Sequence, residues 1–564
     1  MYRRSNKSKQ LSLYTSTHTL LNGRALKTYE DKQQWHNQFR VQVTERIDEE
    51  PFRRLFCDNF GAPNAPIRVL IGMMVLKEAR GLSDAQLFED CQFNMLVRSA
   101  LGFPNIDDAI PASSTYYLLR KRIVDCENEG NANLLEKVFE QITKSQAVEF
   151  KINGNKIRMD SKLLGSNIAW YSRYELIHET LGKAYGRLKV RIDQLLTPSE
   201  ISFLERLSGE SGDKVSYRST RAELESKMSE LGVIIYKIIS DINDESSDIL
   251  PILRRVFGEQ YQIVDDVVSA RPKQEISATS VQSPHDTDCH YRKKDENQIK
   301  GYSINVTETC DTDVPLNLVT HVQVDVASAA DCDFLQSAIE ATQEVVCQKI
   351  ETINADGAYH SVDNQDYCQQ KDIDLIVSAI QGKPSRYDLN LDENQQLTVT
   401  DLTTNTQVEV RQVKSRKEGN ASKWAIRNEK GQLRYFTQKE IDTCILRKQI
   451  AARPQAEFNV RNNVEATIFQ LGYHYPNNKS RYRGIIKHKI WANVRCIWIN
   501  FVRIVNFIAE GVSNCEQNAK NRAFLPVFLL KFVKFRYVTV PVINFSCRCS
   551  GKWALSEFLK NDFL

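Results

Sequence analysis

The hydrophobic pattern along the first part of the chain is helical. Between residues 41 and 150 apolar positions recur at helical spacing, and 67–76 is apolar almost throughout, as in a buried helix that begins after Pro66. Residues 83–86 have the Ser-x-x-Gln form of a capping box, which opens a further helix. The pattern predicts an all-α region over 41–150, preceded by a polar and flexible N-terminus over 1–40.

From residue 151 onward the pattern alternates between short strands and helices. Apolar alternation and β-branched residues predict three strands, then a helix, a strand, a second helix and a last strand. These elements are predicted at 150–168, 301–309, 318–326, 331–348, 351–356, 361–371 and 374–379. The fold class is therefore predicted as mixed α/β, within a domain that covers 151–512.

Two insertions interrupt this predicted domain. Residues 170–255 are strongly helical and charged, which indicates an insert of two or three helices. Residues 385–436 contain short β-prone runs separated by Asn and Gly, which indicates a β-rich insert. Helices are predicted again at 460–472 and 488–512, and a basic C-terminal segment follows over 513–564.

The charge of the chain is unevenly distributed. The 564 residues carry a net charge of only +4, which is weak evidence for nucleic-acid binding. Residues 476–564 hold 15 lysines and arginines against 4 acidic residues, so this end carries +11 and the rest −7. A basic end suits contact with phosphates and an acidic middle suits metal binding, although solvated basic helices would show the same charge.

Several classes of protein are disfavoured by composition. The 13 cysteines include no Cys-x-x-Cys pair, so neither a disulfide framework nor a zinc finger is expected. The apolar run 524–546 is interrupted by Lys531, Lys534 and Arg536, and no membrane span is expected there. The chain lacks a Gly-x-x-x-x-Gly-Lys-Ser/Thr loop, so no nucleotide cofactor is expected.

Three acidic residues stand out by their local contexts. Asp160 and Asp356 each follow a short apolar run that reads as a strand, and Glu465 lies in a helical stretch. Two carboxylates at strand ends and one on a helix are typical of sites that hold two divalent cations for phosphoryl transfer. Mg²⁺ takes carboxylate oxygens and keeps several waters, so three acids suffice. Taken singly, each residue is more often a turn, a cap or a solvated side chain.

Four blocks around these acids resemble bacterial insertion-sequence transposases of the DDE class. They are Met-Asp-Ser-Lys-Leu-Leu-Gly-Ser-Asn-Ile-Ala at 159–169, Lys-Gly-Tyr-Ser-Ile-Asn-Val-Thr-Glu-Thr-Cys-Asp at 300–311, Ala-Asp-Gly-Ala-Tyr-His-Ser at 355–361 and Arg461-x-x-x-Glu465. The stretch from 81 to 103 resembles the InsH-type helical N-terminal domain of the same proteins. The resemblance spans roughly 40–510, with the motifs in the family's order.

The resemblance implies a ribonuclease-H-like catalytic domain with Asp160, Asp356 and Glu465 as catalytic metal ligands. Two Mg²⁺ or Mn²⁺ ions would serve DNA cleavage at the ends of an insertion sequence and the joining of the 3′-OH ends to target DNA. The implied partners are double-stranded DNA, as terminal inverted repeats and as target, and further copies of the chain in a homodimer or larger synaptic complex. The implied location is the bacterial cytoplasm, near the nucleoid.

This chain departs from the family's helix motif at two positions. The family has Tyr-x-x-Arg-x-x-x-Glu and, after six further residues, Lys, whereas this chain has Phe458 and Gly472 at the outer positions. Lys479 is the nearest substitute for the missing lysine. Two alternatives stay open, namely a metal-dependent nuclease without strand transfer and an inactive, DNA-binding remnant of a mobile element.

Basic residues near the third acid and in the N-terminal helices are the predicted DNA contacts. The N-terminal trio ends a capped helix, where its charge would also complement the helix dipole. The predicted contacts are Arg461, Lys479, Arg481, Arg483, Lys487, Lys489, Arg120, Lys121 and Arg122.

Overall fold

A computed structural model describes most of the chain. The described residues are 1–6, 9–294, 296–311, 316–380, 382–392, 396–413, 423–427 and 431–520. The chain divides into two compact units, Met1–Ala509 and Glu510–Leu564. The predicted basic segment over 513–564 lies outside the described residues from 521 onward.

The N-terminal region is helical, as its pattern predicts. Its helices are α1 (Thr17–Leu20), α2 (Gly23–Glu30), α3 (Trp35–Phe39), α4 (Ile67–Arg80), α5 (Asp84–Phe93), α6 (Met95–Ala100), α7 (Ser113–Asn128) and α8 (Leu134–Glu149). Helix α4 is buried almost throughout and ends at Gly81, whose positive φ allows the left-handed cap. The capping box of Ser83 and Gln86 opens α5.

The first 40 residues differ from the flexible segment that their polarity predicts. They contain α1, α2 and α3, and Tyr29 and Phe39 are buried. Nε2 of His36 lies 2.9 Å from the carbonyl oxygen of Tyr29, and the amide of Ser5 donates to a Glu49 carboxylate over 2.7 Å. Polar residues here bind the backbone and side chains of the region that follows, an arrangement that hydrophobic periodicity does not register.

A six-stranded mixed sheet follows, interrupted after its first strand by a helical insertion. The first strand is β1 (Lys156–Gly165), and the insertion contains α9 (Arg173–Leu195), α10 (Pro198–Gly209), α11 (Gly212–Arg218), α12 (Arg221–Asp241), α13 (Leu250–Gln260) and the hairpin β2 (Tyr261–Val264) and β3 (Val267–Ala270). The insertion has a hydrophobic core of its own, built from residues between 174 and 281.

The rest of the sheet has the predicted order of elements. These are β4 (His290–Lys294), β5 (Asn297–Thr309), β6 (Val319–Val326), α14 (Leu335–Val346), β7 (Thr352–Ala355), α15 (Val362–Lys371) and β8 (Asp374–Val377). Strand β5 pairs antiparallel with β1, β4 and β6, whereas β7 pairs parallel with β1 and β8 parallel with β7. The fold is therefore mixed α/β, as predicted.

The β-rich insertion forms two small sheets. It contains β9 (Tyr387–Leu391), β10 (Leu397–Asp401), β11 (Thr406–Val408), β12 (Arg411–Val413), β13 (Lys423–Arg427) and β14 (Leu433–Phe436). Its side chains form a small separate core that includes Trp424 and Phe436. The remaining helices are α16 (Gln438–Ala452), α17 (Gln455–Gly472) and α18 (Ile485–Lys520).

The two faces of the six-stranded sheet are covered by different elements. Ile157 and Met159 on β1 pack on one face with residues of α14 and α15. On the other face Leu164 and Ile304 belong to the same buried cluster as residues of α4, α7, α8 and α18. No core boundary therefore falls at residue 150, because the N-terminal helices and the sheet bury their apolar side chains together.

Helix α18 is central to this shared core. Trp491, Ile497 and Phe501 are almost fully buried there, so packing accounts for the aromatic residues of this helix. Within the described residues, Ile485–Gly511 is the one stretch long and apolar enough to cross a membrane, and more than half of it is buried inside the protein. A buried core helix has the same length and composition.

Candidate active site

The register of the sheet brings Asp160 and Asp356 together. Strand β1 pairs parallel with β7 through Ile157 opposite Ile353 and Arg158 opposite Asn354. The pairing ends there, two residues before each aspartate, and the negative charge of Asp356 raises the pKa of Asp160, so the two carboxylates lie near each other. Neighbouring strands lie about 4.8 Å apart, and residues in register on parallel strands share a face. Asp356 directly follows β7 as predicted, whereas Asp160 lies in the middle of β1 rather than at its end, and the two are neighbours across these strands.

Local backbone geometry fixes Asp356 at the end of β7. Its carboxylate accepts from the amide of Gly357 over 2.6 Å and from the hydroxyl of Ser378 over 3.4 Å. A Cβ at position 357 would lie 2.1 Å from the carbonyl oxygen of Ala379, so only glycine fits there. This close approach explains the Asp-Gly pair in physical terms.

Helix α17 runs along β1 and carries Glu465, which is connected to Asp160 through Arg461, although the carboxylate oxygens of the three acids do not all lie within 4.8 Å of one another in the described structure. Nη2 of Arg461 lies 3.4 Å from Oδ2 of Asp160 and 3.9 Å from Oε1 of Glu465. Arg461 and Glu465 are one turn apart on the same helix face. Two of the predicted acids thus share one guanidinium, and the third lies near Asp160. Glu465 is 65% exposed, whereas Asp160 is 16% exposed.

The charges at this site are not balanced. Burial raises the pKa of Asp160 and the neighbouring Asp356 raises it further, while Arg461 and the amide of Ser161 lower it; the net shift is upward. The three carboxylates have one guanidinium between them among the contacts of the described residues. Such an arrangement favours the approach of a cation.

The orientation of α17 depends on a second, fully buried carboxylate on the same sheet face. Glu308 on β5 is 0% exposed and pairs with Arg158 over 2.6 Å and with Arg503 over 2.7 Å. The hydroxyl of Thr467 on α17 donates to Glu308 over 2.7 Å. Arg158 also donates to the carbonyl of Val460 over 3.0 Å. These bonds attach α17 to the sheet on both sides of Glu465.

Lys162 is a site residue that motif matching missed. Arg158, Asp160 and Lys162 alternate along one face of β1, and each meets α17 in turn. A Cβ at Gly472 would lie 2.5 Å from Nζ of Lys162, so the lysine occupies the space beside this glycine. Burial lowers the pKa of Lys162. The sequence does contain a signal for Lys162, because residues two positions apart on a strand share a face and Lys162 is two positions after Asp160.

Three of the predicted DNA contacts lie in the segment between α17 and α18. Their side chains donate to backbone carbonyls elsewhere in the chain. Nζ of Lys479 donates to the carbonyl of Ile168 over 2.8 Å, rather than reaching the acids. Arg481 donates to the carbonyls of Gly81 and Leu82, and Arg483 donates to that of Asn167. All three residues are exposed, so they keep surface that DNA could contact. Their role in DNA binding stays a prediction.

The remaining predicted contacts lie around the start of α18 and in the middle of α7, which continues to Asn128, so the trio of basic residues does not end this helix as predicted. Lys489 pairs with Glu127 over 3.2 Å, whereas Lys487 is exposed. In α7, Arg120 lies over the ring of Tyr116 and 3.8 Å from a carboxylate oxygen of Asp84.

Lys121 of α7 is exposed, and Arg122 lies over the ring of Phe56. A cavity of about 380 Å³ is lined by Arg120, Lys121 and Lys487 together, so the structure brings these two predicted groups to one place. It does not bring them to the three acids.

The donor set at the acids fits a divalent cation with a preference for oxygen. Asp160, Asp356 and Glu465 provide carboxylates only, from the middle of β1, the end of β7 and helix α17, which is the chemistry that Mg²⁺ and Mn²⁺ accept. The guanidinium of Arg461 stands between Asp160 and Glu465 as a cation would. These residues could hold metal and place it against a phosphate that approaches the exposed side of Glu465.

Comparison with known families gives one match. The family model described as Transposase domain (DUF772) matches residues 27–122, which cover the second half of α2, all of α3 to α6 and the first ten residues of α7. No curated protein matches the chain. The matched region includes the stretch 81–103 in which the sequence resembles transposases, and it supports a transposase role for the chain.

Proposed function

We propose that this chain is a DDE transposase, which cuts DNA at the ends of an insertion sequence and joins the freed 3′-OH ends to target DNA. The observation that carries the proposal is the proximity of Asp160 and Asp356 on the adjacent strands β1 and β7, with Arg461 between Asp160 and Glu465. The transposase-domain match at 27–122 supports the same function from a different part of the chain.

The topology supports a ribonuclease-H-like core. Three antiparallel strands, β6, β5 and β1, are followed in the sheet by β7 and β8, which run parallel to β1. Helices α14 and α15 connect the strands in the order that such a core requires. The carboxylates lie just beyond the point where the pairing of β1 with β7 ends.

The proposed chemistry consists of two in-line displacements at phosphorus. In the first, a water oxygen attacks the phosphodiester at the element's end and the bond to O3′ breaks, which releases a 3′-OH. In the second, this 3′-OH attacks a target phosphodiester, forms a new P–O bond and displaces a target 3′-OH. When bound, two divalent cations would activate the attacking oxygen and stabilise the leaving one.

The residues have separate tasks in this proposal. Asp160, Asp356 and Glu465 hold the cations, and the Glu308 cluster keeps α17 in place so that Glu465 reaches them. Lys162 lies on the face of β1 that carries Asp160, with its ammonium beside Gly472. There it would contact a phosphate. Arg461 would exchange its carboxylate partners for a phosphate when metal arrives. The N-terminal helices would serve recognition of the DNA ends or assembly of two copies.

A cleavage and joining assay tests this function. A labelled duplex with the inverted repeats that flank the coding region is incubated with the protein, a target plasmid and Mg²⁺ or Mn²⁺. We expect nicks that leave 3′-OH ends, followed by covalent products of donor and target. Asp356→Asn is the inactive control. Cleavage without joined product would instead assign a nuclease, and binding without cleavage would assign an inactive remnant.

A further inference from the structure

A second group of potential metal ligands lies away from the three acids, between α8 and β6. Glu136 and Glu140 are one turn apart on α8, and His321 lies on β6. One ligand atom of each of the three residues lies within 4.8 Å of those of the other two. The sequence separation between the glutamates and the histidine is so large that no motif would join them.

The histidine is the observation that separates this group from an ordinary acidic patch. His321 is 5% exposed, and its Nδ1 is buried with no hydrogen-bond partner in the part of the chain that the structure describes. A buried imidazole nitrogen without a partner loses its hydrogen bond to water and gains none in return. Burial lowers the pKa of His321 to about 4, so the ring is neutral at pH 7 and has a free lone pair.

A local irregularity in the sheet turns His321 toward the helix side. The register of β5 and β6 shifts between Thr307 and Glu308, so that His321 pairs with Thr307 and Val319 pairs with Glu308. Thr320 is left outside the pairing, and its hydroxyl lies 3.0 Å from that of Thr342 on α14. A bulge of this kind changes the direction of neighbouring side chains. Here it lets the consecutive residues Thr320 and His321 both lie on the face where α14 packs.

The lysines near the two glutamates do not offset the effect of burial on their pKa values. Burial raises the pKa of Glu140 to about 7, and the negative charges of Glu136 and Glu344 contribute to this shift. Burial also raises the pKa of Glu136, against the effect of Lys489. Two half-buried carboxylates and a buried, neutral imidazole therefore face one another, and in the described part of the chain neither glutamate has an ion pair.

We propose that Glu136, Glu140 and His321 bind one divalent transition-metal ion, of which Zn²⁺ is the best fit, and so join the N-terminal helices to the sheet. An imidazole with two carboxylates suits Zn²⁺ and its first-row neighbours, while Mg²⁺ and Ca²⁺ take oxygen ligands. Ligand atoms bound at about 2.0–2.2 Å to one tetrahedral ion lie about 3.4 Å apart, so the group closes onto the metal by a small side-chain movement. The ion's role is structural.

The test separates this ion from those at the proposed catalytic site. The triple variant Asp160→Asn, Asp356→Asn, Glu465→Gln serves as the background, because it removes the other carboxylate cluster. Zn²⁺ or Co²⁺ is added to metal-free protein. We expect one ion bound per chain, a Tm raised by a few degrees, and for Co²⁺ a visible absorption band of a low-coordinate N/O site.

Variants in this background decide whether these three residues are the ligands. Glu140→Gln and Glu136→Gln should each weaken Co²⁺ binding at least tenfold and lose the absorption band. Both residues are half-buried on a helix surface, so the fold should persist, and His321→Asn extends the series. Glu344→Gln, which changes a neighbouring charge that is not a ligand, should bind Co²⁺ as the background does.

Three results would overturn the proposal. The first is absence of binding of Zn²⁺ and Co²⁺ at micromolar concentration in the background protein. The second is unchanged binding in Glu140→Gln and Glu136→Gln. The third is an equal rise in Tm with Mg²⁺, which would show an acidic patch that does not use the imidazole. None of them bears on DNA cleavage by the protein with intact acids.

Discussion

Two carboxylate clusters lie next to each other on one face of the sheet, and they differ in how their charge is balanced. Glu308 is fully buried and has two arginines and a threonine hydroxyl. Asp160 is only two residues beyond Arg158 along β1, yet among the described residues the ion pairs of Asp160 and Glu465 are both with Arg461. The charge of the first cluster is balanced by its arginines, whereas the second cluster keeps an excess of negative charge.

The difference indicates which acids are structural and which are available to a ligand. A buried carboxylate that is paired with two arginines does not bind a further cation. Its ion pairs instead hold secondary-structure elements in place. An acidic group with too few partners is costly for the folded protein and is kept where a metal or substrate supplies the missing charge. Burial alone would make Glu308 the first candidate for a functional acid, whereas the balance of charge favours the acids around Asp160.

The largest expected effect follows from neutralising the unbalanced cluster. Asp160→Asn, Asp356→Asn and Glu465→Gln should each lower the rate of DNA cleavage by roughly 10³-fold or more, because the charge that holds metal at the phosphate is lost. DNA affinity and Tm should stay close to those of the wild type. Glu457→Gln, on the same helix but paired with Arg453, is the matched control. Near-normal cleavage by Glu465→Gln would show that the third ligand is another residue.

Breaking the balanced cluster should affect folding first. Glu308→Gln leaves Arg158 and Arg503 without their carboxylate and should lower the free energy of unfolding by about 3–5 kcal/mol. Asp372→Asn removes one partner of an exposed pair and should change it by less than about 0.5 kcal/mol. Urea unfolding measures both. Equal stability of Glu308→Gln and wild type would refute the structural role.

The same variant should show a characteristic pH dependence. Burial acts to raise the pKa of Glu308, but Arg503, Arg158 and Thr467 outweigh it and the net pKa is below the usual 4.5. A carboxylate with a lowered pKa stabilises the fold above its unfolded pKa and loses this contribution as the pH falls through the folded value. The difference in Tm between wild type and Glu308→Gln should therefore be greatest near pH 7 and shrink below pH 4.5.

A smaller effect is expected from the lysine beside the acids. Lys162→Gln should reduce cleavage about tenfold and lower the slope of log affinity against log salt by about 0.9, because one phosphate contact is lost. Lys156→Gln, at the exposed start of the same strand, should change neither quantity. If Lys162→Gln leaves both unchanged, the lysine only fills the space at Gly472.

The smallest effect should come from the C-terminal end. Residues 521–564 hold 7 lysines and arginines against 2 acidic residues, so their removal takes away a net charge of +5. We expect a few-fold loss of DNA affinity and a shallower salt dependence. An unchanged slope would place the phosphate contacts among the basic residues between α17 and α18 or in the middle of α7.

Much of this arrangement could be predicted because its signals are local. Asp160 and Asp356 each come directly after a short apolar run that predicts a strand, and the stretch with Glu465 is helical in pattern. The Glu308 cluster could not be predicted, because Arg158 and Glu308 are 150 residues apart and only the sheet register joins them. A lone buried glutamate is indistinguishable in sequence from a solvated one.

The basic residues show a second limit of sequence reasoning. Arg481 resembles a DNA contact by charge, yet both of its terminal nitrogens bind carbonyls of Gly81 and Leu82. The flexible N-terminus and the domain boundary at 150 were inferred from polarity and motif order, neither of which reports a shared core. A fragment beginning near 150 would expose Leu164 and Ile304, so it is not a usable test of end recognition.

The two helical regions attached to the sheet have different evolutionary freedom. The insertion between β1 and β4 encloses its own apolar residues, so a lineage can shorten, replace or lose it without uncovering the sheet. The N-terminal helices have no such independence, because their apolar residues complete the core around α18. New specificity in that region must arise by exchange of surface residues, and chimeras that graft a foreign N-terminal region onto this sheet should be recovered only when α18 is transferred with it.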